Sequence, residues 1–552
     1  MDMKKTLLFL LIFTFTLTAS AQLDRSVEED IDQLFVEWNR PNHPGGAVGI
    51  VQDGKLVFSK AYGLASLEYL VPNAKGTRFN IASVSKQFTA MGIVRLHLQG
   101  KLSVEDDPRR HIPELPDFGQ TVTIRHMLHH TSGMRSLHSM LALAGWRGDD
   151  ARTNEDLLRF MLDQRDLNFV PGDEYMYCNT GYILMAVLIE RISGEKFSTW
   201  MKKNIFEPLG LYDTYVEDRY NRVVPNNATS YNGSKERGFV RGVEYWGYTG
   251  SGNVHSTTLD LLKWYRNYYQ PQEGWKDAFS MMLTVDDLNN GQHNDYAFGV
   301  RVELYRGEKR ISHGGSIGGF RAYACTYPDR KLEIVALTNF SSSSTGGKVN
   351  SITNILLNKP VEEVTRFEMQ EVNIDPSVFD KYAGTYTVNE DPDRQIEFFR
   401  KDDVYFSKLT GQENVRLLAA NFSTFFNNKQ QIKIIFNDTD KNTYTMNQRG
   451  REYTGSKTVK YVPTEKELNE IAGQYWSPEL HTQYTFSVKD DQLVGYHTRH
   501  GEFRIENFRK DEYLCRASFI RKITVGRDKL GRITGLYVTN SRVRNLFFEK
   551  KD

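Results

Sequence analysis

The chain has 552 residues, of which 39% are apolar and 25% charged, the balance of an ordinary globular protein. A formal net charge of +1 and the lack of any basic run exclude a polyanion-binding surface, so no nucleic-acid partner is expected. Three cysteines, Cys178, Cys325 and Cys515, stand far apart and are odd in number, which supports neither a disulfide framework nor a Cys-x-x-Cys metal pattern.

In chain order, Lys4 and Lys5 precede an apolar run from Leu7 to Leu17, and Ala19-Ser20-Ala21 follows it. That is the pattern of a signal peptide (1–21) cut ahead of Gln22, and the run is too short to span a bilayer. The alternative, a membrane anchor, gives the small residues no role. The mature chain is expected in the periplasm or outside the cell, with no integral membrane segment. Leu34 to Trp38 reads as the end of a first amphipathic helix, stopped by Pro41 and Pro44. Ala47–Val51 and Leu56–Phe58 flank Asp53-Gly54 and predict a hairpin. Helices are predicted over about Ser85–Leu98, Tyr182–Ile192 and Leu259–Tyr269, the first closed by Gly100 and the second by Gly194. Strands return from Arg310 to Leu337. This mixed α/β part, 22–360, gives way near Asn358 to an exposed connection, Lys359–Glu363. Beyond it the alternation in Gln395–Phe399 and Gln431–Phe436 argues for strands. An internal echo joins Phe379-Asp380-Lys381-Tyr382-Ala383-Gly384-Thr385-Tyr386 to Leu468-Asn469-Glu470-Ile471-Ala472-Gly473-Gln474-Tyr475. Two related small β-barrel-like domains follow, at 375–458 and 464–552, with one larger barrel as the alternative. Aromatic residues such as Phe398, Phe425 and Tyr475 read as barrel filling.

Three segments carry chemistry. Ser83-Val84-Ser85-Lys86 at a helix start places two side chains three apart on one face. A serine hydroxyl needs a base to become a nucleophile, and a lysine whose charge is disfavoured by burial can be that base. Backbone N–H groups at the helix start favour the developing negative charge. Tyr177-Cys178-Asn179 lies just ahead of a second helix. A phenolate is a strong base, and a nearby ammonium lowers its pKa, so Tyr177 can take the serine proton and return it to the leaving group. The Asn179 amide can hold both Lys86 and a substrate carbonyl. His313-Gly314-Gly315-Ser316 lies between strands. Its glycines let a substrate lie along the backbone, and the Ser316 N–H can join that of Ser83 as an oxyanion hole. The choice between Lys86 and Tyr177 as general base stays open here.

The order Ser-x-x-Lys, Tyr-x-Asn, His-Gly-Gly resembles the serine β-lactamase-related superfamily in its class C branch. That branch includes β-lactamases, D,D-peptidases and other penicillin-binding proteins, D-aminopeptidases and esterases. The resemblance covers about 30–355 and takes in Met127-Leu128-His129-His130-Thr131-Ser132-Gly133-Met134 and Gly252-Asn253-Val254-His255-Ser256-Thr257-Thr258-Leu259-Asp260. It implies an antiparallel sheet covered by helices with an all-helical lobe beside it. It also implies an acylated Ser83, and neither metal nor organic cofactor. One departure matters: β-lactamases and D,D-peptidases carry Lys-Thr-Gly where this chain has His313-Gly314-Gly315. A histidine is mostly neutral at pH 7. The histidine form and the C-terminal barrels point towards D-aminopeptidases and esterases, on a peptide or small-molecule substrate, peptidoglycan fragments among the candidates. A β-lactamase or D,D-carboxypeptidase is the alternative and needs a cation from His313 or an arginine such as Arg321. A cell-envelope binding or sensor protein on a retained hydrolase fold is the alternative of another class.

Other signals are set aside. Gly314-Gly315-Ser316-Ile317-Gly318 matches Gly-x-Ser-x-Gly but lacks the helix that motif needs after it. His126, His129 and His130 lack a His-Glu-x-x-His arrangement. Cys178 is read as a small apolar neighbour of the site.

Overall fold

The computed structural model describes residues 23–551, apart from 359–366, 411, 449, 460 and 516. The signal segment and the connection at Lys359–Glu363 lie outside the described residues. The first helix, α1 (Arg25–Gln33), ends before the apolar Leu34–Trp38. Those residues continue as turns that carry Phe35 and Trp38 into the core. Strands β1 (Gly46–Gln52) and β2 (Lys55–Tyr62) then form the expected hairpin. Asp53 and Gly54 both have positive φ, 50° and 75°, as a type I′ turn demands.

Helices α2 (Lys86–Leu98), α3 (Asn179–Ser193) and α4 (Thr258–Arg266) follow. Helix α3 starts three residues before the apolar pattern does, because its first turn, Asn179-Thr180-Gly181, carries no large apolar side chain to announce it. Strands β3 (Arg301–Tyr305), β4 (Glu308–Ile317), β5 (Phe320–Tyr327) and β6 (Leu332–Thr338) complete a six-stranded antiparallel sheet of order β3-β4-β5-β6-β1-β2. All of β6 is buried because the sheet is covered on both faces. Ile334 and Ala336 face α1 and the closing helix α5 (Thr345–Leu356), while Val335 and Leu337 face α4 and the helical lobe built around α2 and α3.

The C-terminal part is two closed barrels of eight antiparallel strands each, from Gly384–Val388 to Arg451–Thr458 and from Gly473–Ser477 to Val543–Lys551. In each the first strand pairs with the last, so one larger barrel is ruled out. The first barrel has a core of its own, including Phe379, Tyr386, Phe398, Phe425 and Phe436. The core of the second, including Tyr475, Tyr484 and Phe548, is continuous with that of the helical lobe. Among the described residues no helix is long and apolar enough to cross a membrane.

Candidate active site

Ser83 sits in a tight helical turn, Ala82–Ser85, that feeds α2. Ala82 before it holds a positive φ of 50°, uncommon for a residue with a Cβ. Its amide donates to Asn80 Oδ1 at 2.9 Å, which helps fix that conformation. Lys86 opens α2 one turn later and is 0% exposed. Its Nζ donates to the Ser251 carbonyl at 2.7 Å and to Ser83 Oγ at 3.3 Å. Burial, helped by the charge of Arg542, holds its pKa well below the ordinary lysine range. A lysine in that state is an amine beside the nucleophile, with a lone pair that can take its proton.

Tyr177 packs its ring 4.8 Å from Lys86 Nζ and 4.2 Å from the His130 ring. Its hydroxyl is buried without a hydrogen bond of full geometry to any described residue. Burial raises its pKa, and the neighbouring Ser83 hydroxyl opposes the rise only in part. The expected depression by an ammonium is therefore overturned: Lys86 is itself driven neutral, and desolvation of the phenolate dominates. His130 Nδ1 accepts the Cys178 N–H at 3.1 Å, so the loop at 127–134 supports Tyr177 from below. His126 completes the cap of its helix, and His129 bonds the Tyr296 carbonyl at 2.8 Å. Cys178 is buried, its thiol donates to the Met134 carbonyl at 3.3 Å, and burial raises its pKa, which suits packing and not nucleophilic attack. Asn179 opens α3 and faces Ser83 across the cleft. Among the described residues no hydrogen bond joins it to Lys86; the Ser251 carbonyl takes that part.

Strand β4 supplies the third wall. Strand β3 pairs with it only as far as Ser312, so 313–317 have a strand neighbour on one side alone. A Cβ on Gly315 would lie 2.3 Å from the Ile81 carbonyl oxygen and 3.0 Å from Ala82 Cβ. Glycine there lets the strand close on the nucleophile turn, and Ser316 beside it lines the cleft with Ser83. His313 is buried, with Nε2 2.9 Å from the Tyr296 hydroxyl and Nδ1 2.6 Å from the Gly314 carbonyl. Burial lowers its pKa to about 3, so it is neutral and both nitrogens are engaged. It supplies no cation. Neither does Arg321, which donates to the Gly318 and Phe320 carbonyls at 2.8 and 2.7 Å on the turn beyond β4.

Two arms of the cleft meet at Ser83. One, of about 300 Å³, runs past His138, Arg152, Trp246 and Tyr248. The other, of about 670 Å³, runs past Tyr177, His313, Arg301 and Arg542. Arg542 comes from the second barrel and lies 5.0 Å from the Tyr177 ring centre. Arg542 carries no local sequence signal, and Ser251 is marked only as the residue before the Gly252–Asp260 motif, with nothing to assign it a role. Tyr296 sits next to no motif either, although its hydroxyl fixes His313.

The model of the Beta-lactamase family matches residues 24–357. Over 431 residues the chain is 27% identical to penicillin-binding protein 4* of Bacillus subtilis strain 168, covering 75% of this chain and 94% of that one. A D-aminopeptidase of Gluconobacter oxydans strain 621H is 25% identical over 302 residues, 54% of this chain; the match spans only 57% of that relative. Among solved structures, the octameric penicillin-binding protein homologue from Pyrococcus abyssi aligns over 86% of this chain and 99% of its own. Its TM-score of 0.56 at 23% identity is a likeness of fold.

Proposed function

The chain belongs to the Beta-lactamase family and is a serine hydrolase, and from that premise we propose that it cleaves amide or ester bonds through an acyl-Ser83 intermediate whose acyl part is a D-residue or a small acid. The buried Lys86 amine, 3.3 Å from Ser83 Oγ, carries the reading. It takes the Oγ proton as Oγ attacks the carbonyl carbon. The oxyanion that forms is held by the N–H groups of Ser83 and Ser316. Tyr177, a neutral phenol, gives its proton to the leaving group, and the Lys86 ammonium returns one to Tyr177. Water then repeats the sequence on the acyl-enzyme and releases the acid. Lys86 is thus the base and Tyr177 the acid of acylation, with Asn179 placed to hold the substrate carbonyl. The likeness to D-aminopeptidases supports a D-residue substrate.

Hydrolysis of D-alanine p-nitroanilide by the full chain is the test, with Ser83→Ala alongside. Turnover is expected and should vanish in the variant while the circular dichroism spectrum is retained. Turnover surviving in a folded Ser83→Ala protein would overturn the reading. The residue pattern of 1–21 supports export, and we propose a mature chain beginning at Gln22; mass spectrometry of the extracytoplasmic protein checks that start.

A further inference from the structure

The strands Asp391–Lys401 and Val404–Leu409 are neighbours in the first barrel, and alternation divides their side chains between its two faces. Phe398 and Tyr405 point inward and join the core. Phe399 and Phe406 point outward, stand directly opposite each other and belong to no core cluster. Their half-buried rings stack with centres 5.4 Å apart and planes 18° from parallel. The outward ladder continues with Glu397 opposite Lys408, and then with Gln395 beside Thr410, whose amide donates to the Gln395 carbonyl at 2.8 Å.

The polar end of this ladder is one wall of a cavity of about 380 Å³ between the two barrels, a size that takes a small ligand. The facing wall belongs to the second barrel and carries Gln492, Arg504 and Glu506. Contacts between the barrels hold the walls in place. Asp391 pairs with Arg521 at 3.1 Å, Asp393 with Lys522 at 3.0 Å, and Arg509 donates to the Pro392 carbonyl at 3.2 Å. Inside the cavity the side chains are uncommitted. Gln395, Glu397, Lys408, Gln492 and Arg504 make no side-chain hydrogen bond or ion pair with any described residue. Even Glu397 and Lys408, opposite each other on the ladder, do not pair.

These features select a ligand. Glu397 and Glu506 balance Lys408 and Arg504, so the cavity favours neither an anion nor a cation. Its uncommitted groups include donors and acceptors together, a mixture that hydroxyl groups satisfy because each both donates and accepts. A peptide that binds by adding a strand needs a free sheet edge, and both barrels are closed. A sugar ring has hydroxyls around its rim and C–H groups on its faces. The Phe399–Phe406 pair, next along the ladder, offers an apolar platform for such a face.

We propose that the outer wall of the first barrel and the cavity beside it bind a neutral saccharide chain. One ring lies on the phenylalanine pair, and the next enters the cavity against Glu397, Lys408 and Arg504. The first barrel is then a carbohydrate-holding module carried by a hydrolase. This goes beyond the acyl-Ser83 reading and does not depend on it.

The test is calorimetry of the full chain, on a Ser83→Ala background that excludes turnover, with cellohexaose, chitohexaose and maltohexaose. At least one is expected to bind with a dissociation constant below about 1 mM, and which one binds identifies the class of chain. Phe406→Leu, Glu397→Gln and Arg504→Met should each weaken that binding on the order of 10-fold, the worth of a stacked ring or a charge-assisted hydrogen bond. Glu397 and Arg504 lie on different barrels, so a folding failure in one variant leaves the other to read the cavity. Binding of none of the three saccharides would overturn the proposal. So would equal binding of an uncharged glycine–serine peptide of similar length, or saccharide binding that survives all three substitutions in proteins of parental melting temperature.

Discussion

The two barrels are built alike and used differently. Each has eight strands, and each keeps a tyrosine at the matching place of the sequence echo that folds back on the chain. Tyr386 Oη donates to the Tyr382 carbonyl at 2.9 Å, and Tyr475 Oη to the Ile471 carbonyl at 2.6 Å. The first barrel encloses its own core, and among the described residues no hydrogen bond or ion pair ties it to the catalytic domain. It meets the second barrel through the half-exposed pair Asp391 with Arg521 and through Asp393 with the more buried Lys522. The second barrel shares a core with the helical lobe and sinks an ion pair into the junction. Arg135 and Glu479, 1% and 2% exposed, meet there at 2.6 Å. Tyr484 Oη reaches the Leu143 carbonyl at 2.7 Å, and His500 the Ala142 carbonyl at the same distance. Equal folds therefore do not mean equal work: what separates the barrels is the surface each buries.

The harshest way to break this comparison is to remove the barrels one at a time. Ending the chain at Pro463 strips the cover from the helical lobe and leaves Arg135 with only the exposed Asp166 carboxylate at 3.8 Å. Complete loss of soluble, active protein is expected, checked by yield and ester turnover. Excising 375–458 should instead leave turnover within a few-fold. A milder version is Glu479→Gln. Removing one partner of a buried pair strands the other, and such changes cost about 3–5 kcal/mol. A thermal melt of the full chain should show that loss; a melt unchanged from the parent would mean the junction is not held by its polar centre.

Parts of this were legible in the sequence and parts were not, for a physical reason. Ser83 and Lys86 sit three apart on one helix, so spacing alone places them together. The barrels announce themselves by alternation and by the echo. The contact between Arg542 and Tyr177 spans 365 positions and depends on how a barrel face fits a helical lobe, which no local pattern encodes. The same holds for Ser251, whose carbonyl is a backbone group that any residue could offer. Charge states were hidden too. His313 and Tyr177 are neutral because of what buries them, and burial is a property of the assembled fold.

Arg542 also gives the comparison an effect on proton affinity. A guanidinium near Lys86 disfavours the ammonium, so Arg542→Met should raise the lysine pKa. The base must be unprotonated to act, so the acid limb of the kcat/KM profile should move to higher pH. Burial, the larger cause, is untouched, and the limb should stay below the ordinary lysine range. A pH profile on a neutral ester reads the shift; a limb that stays put would show that the barrel's charge does not reach the amine.

The smallest effect is predicted where the barrels touch each other. Asp393→Ala removes the partner of Lys522, but Lys522 keeps Glu512 at 3.0 Å, so no charge is stranded. The neighbouring Arg521–Asp391 pair also remains. Asp393 is solvated and Lys522, 17% exposed, keeps a second carboxylate, so the loss is expected to be about 1 kcal/mol or less and screened by salt. The melt of Asp393→Ala should therefore shift little, and the shift should shrink further in high salt. Its turnover should equal that of the parent, because the first barrel reaches the cleft only through the second. A variant with an intact melt and a changed kcat/KM would sink that view, since it would mean that a surface contact between the barrels moves Arg542 in the active site.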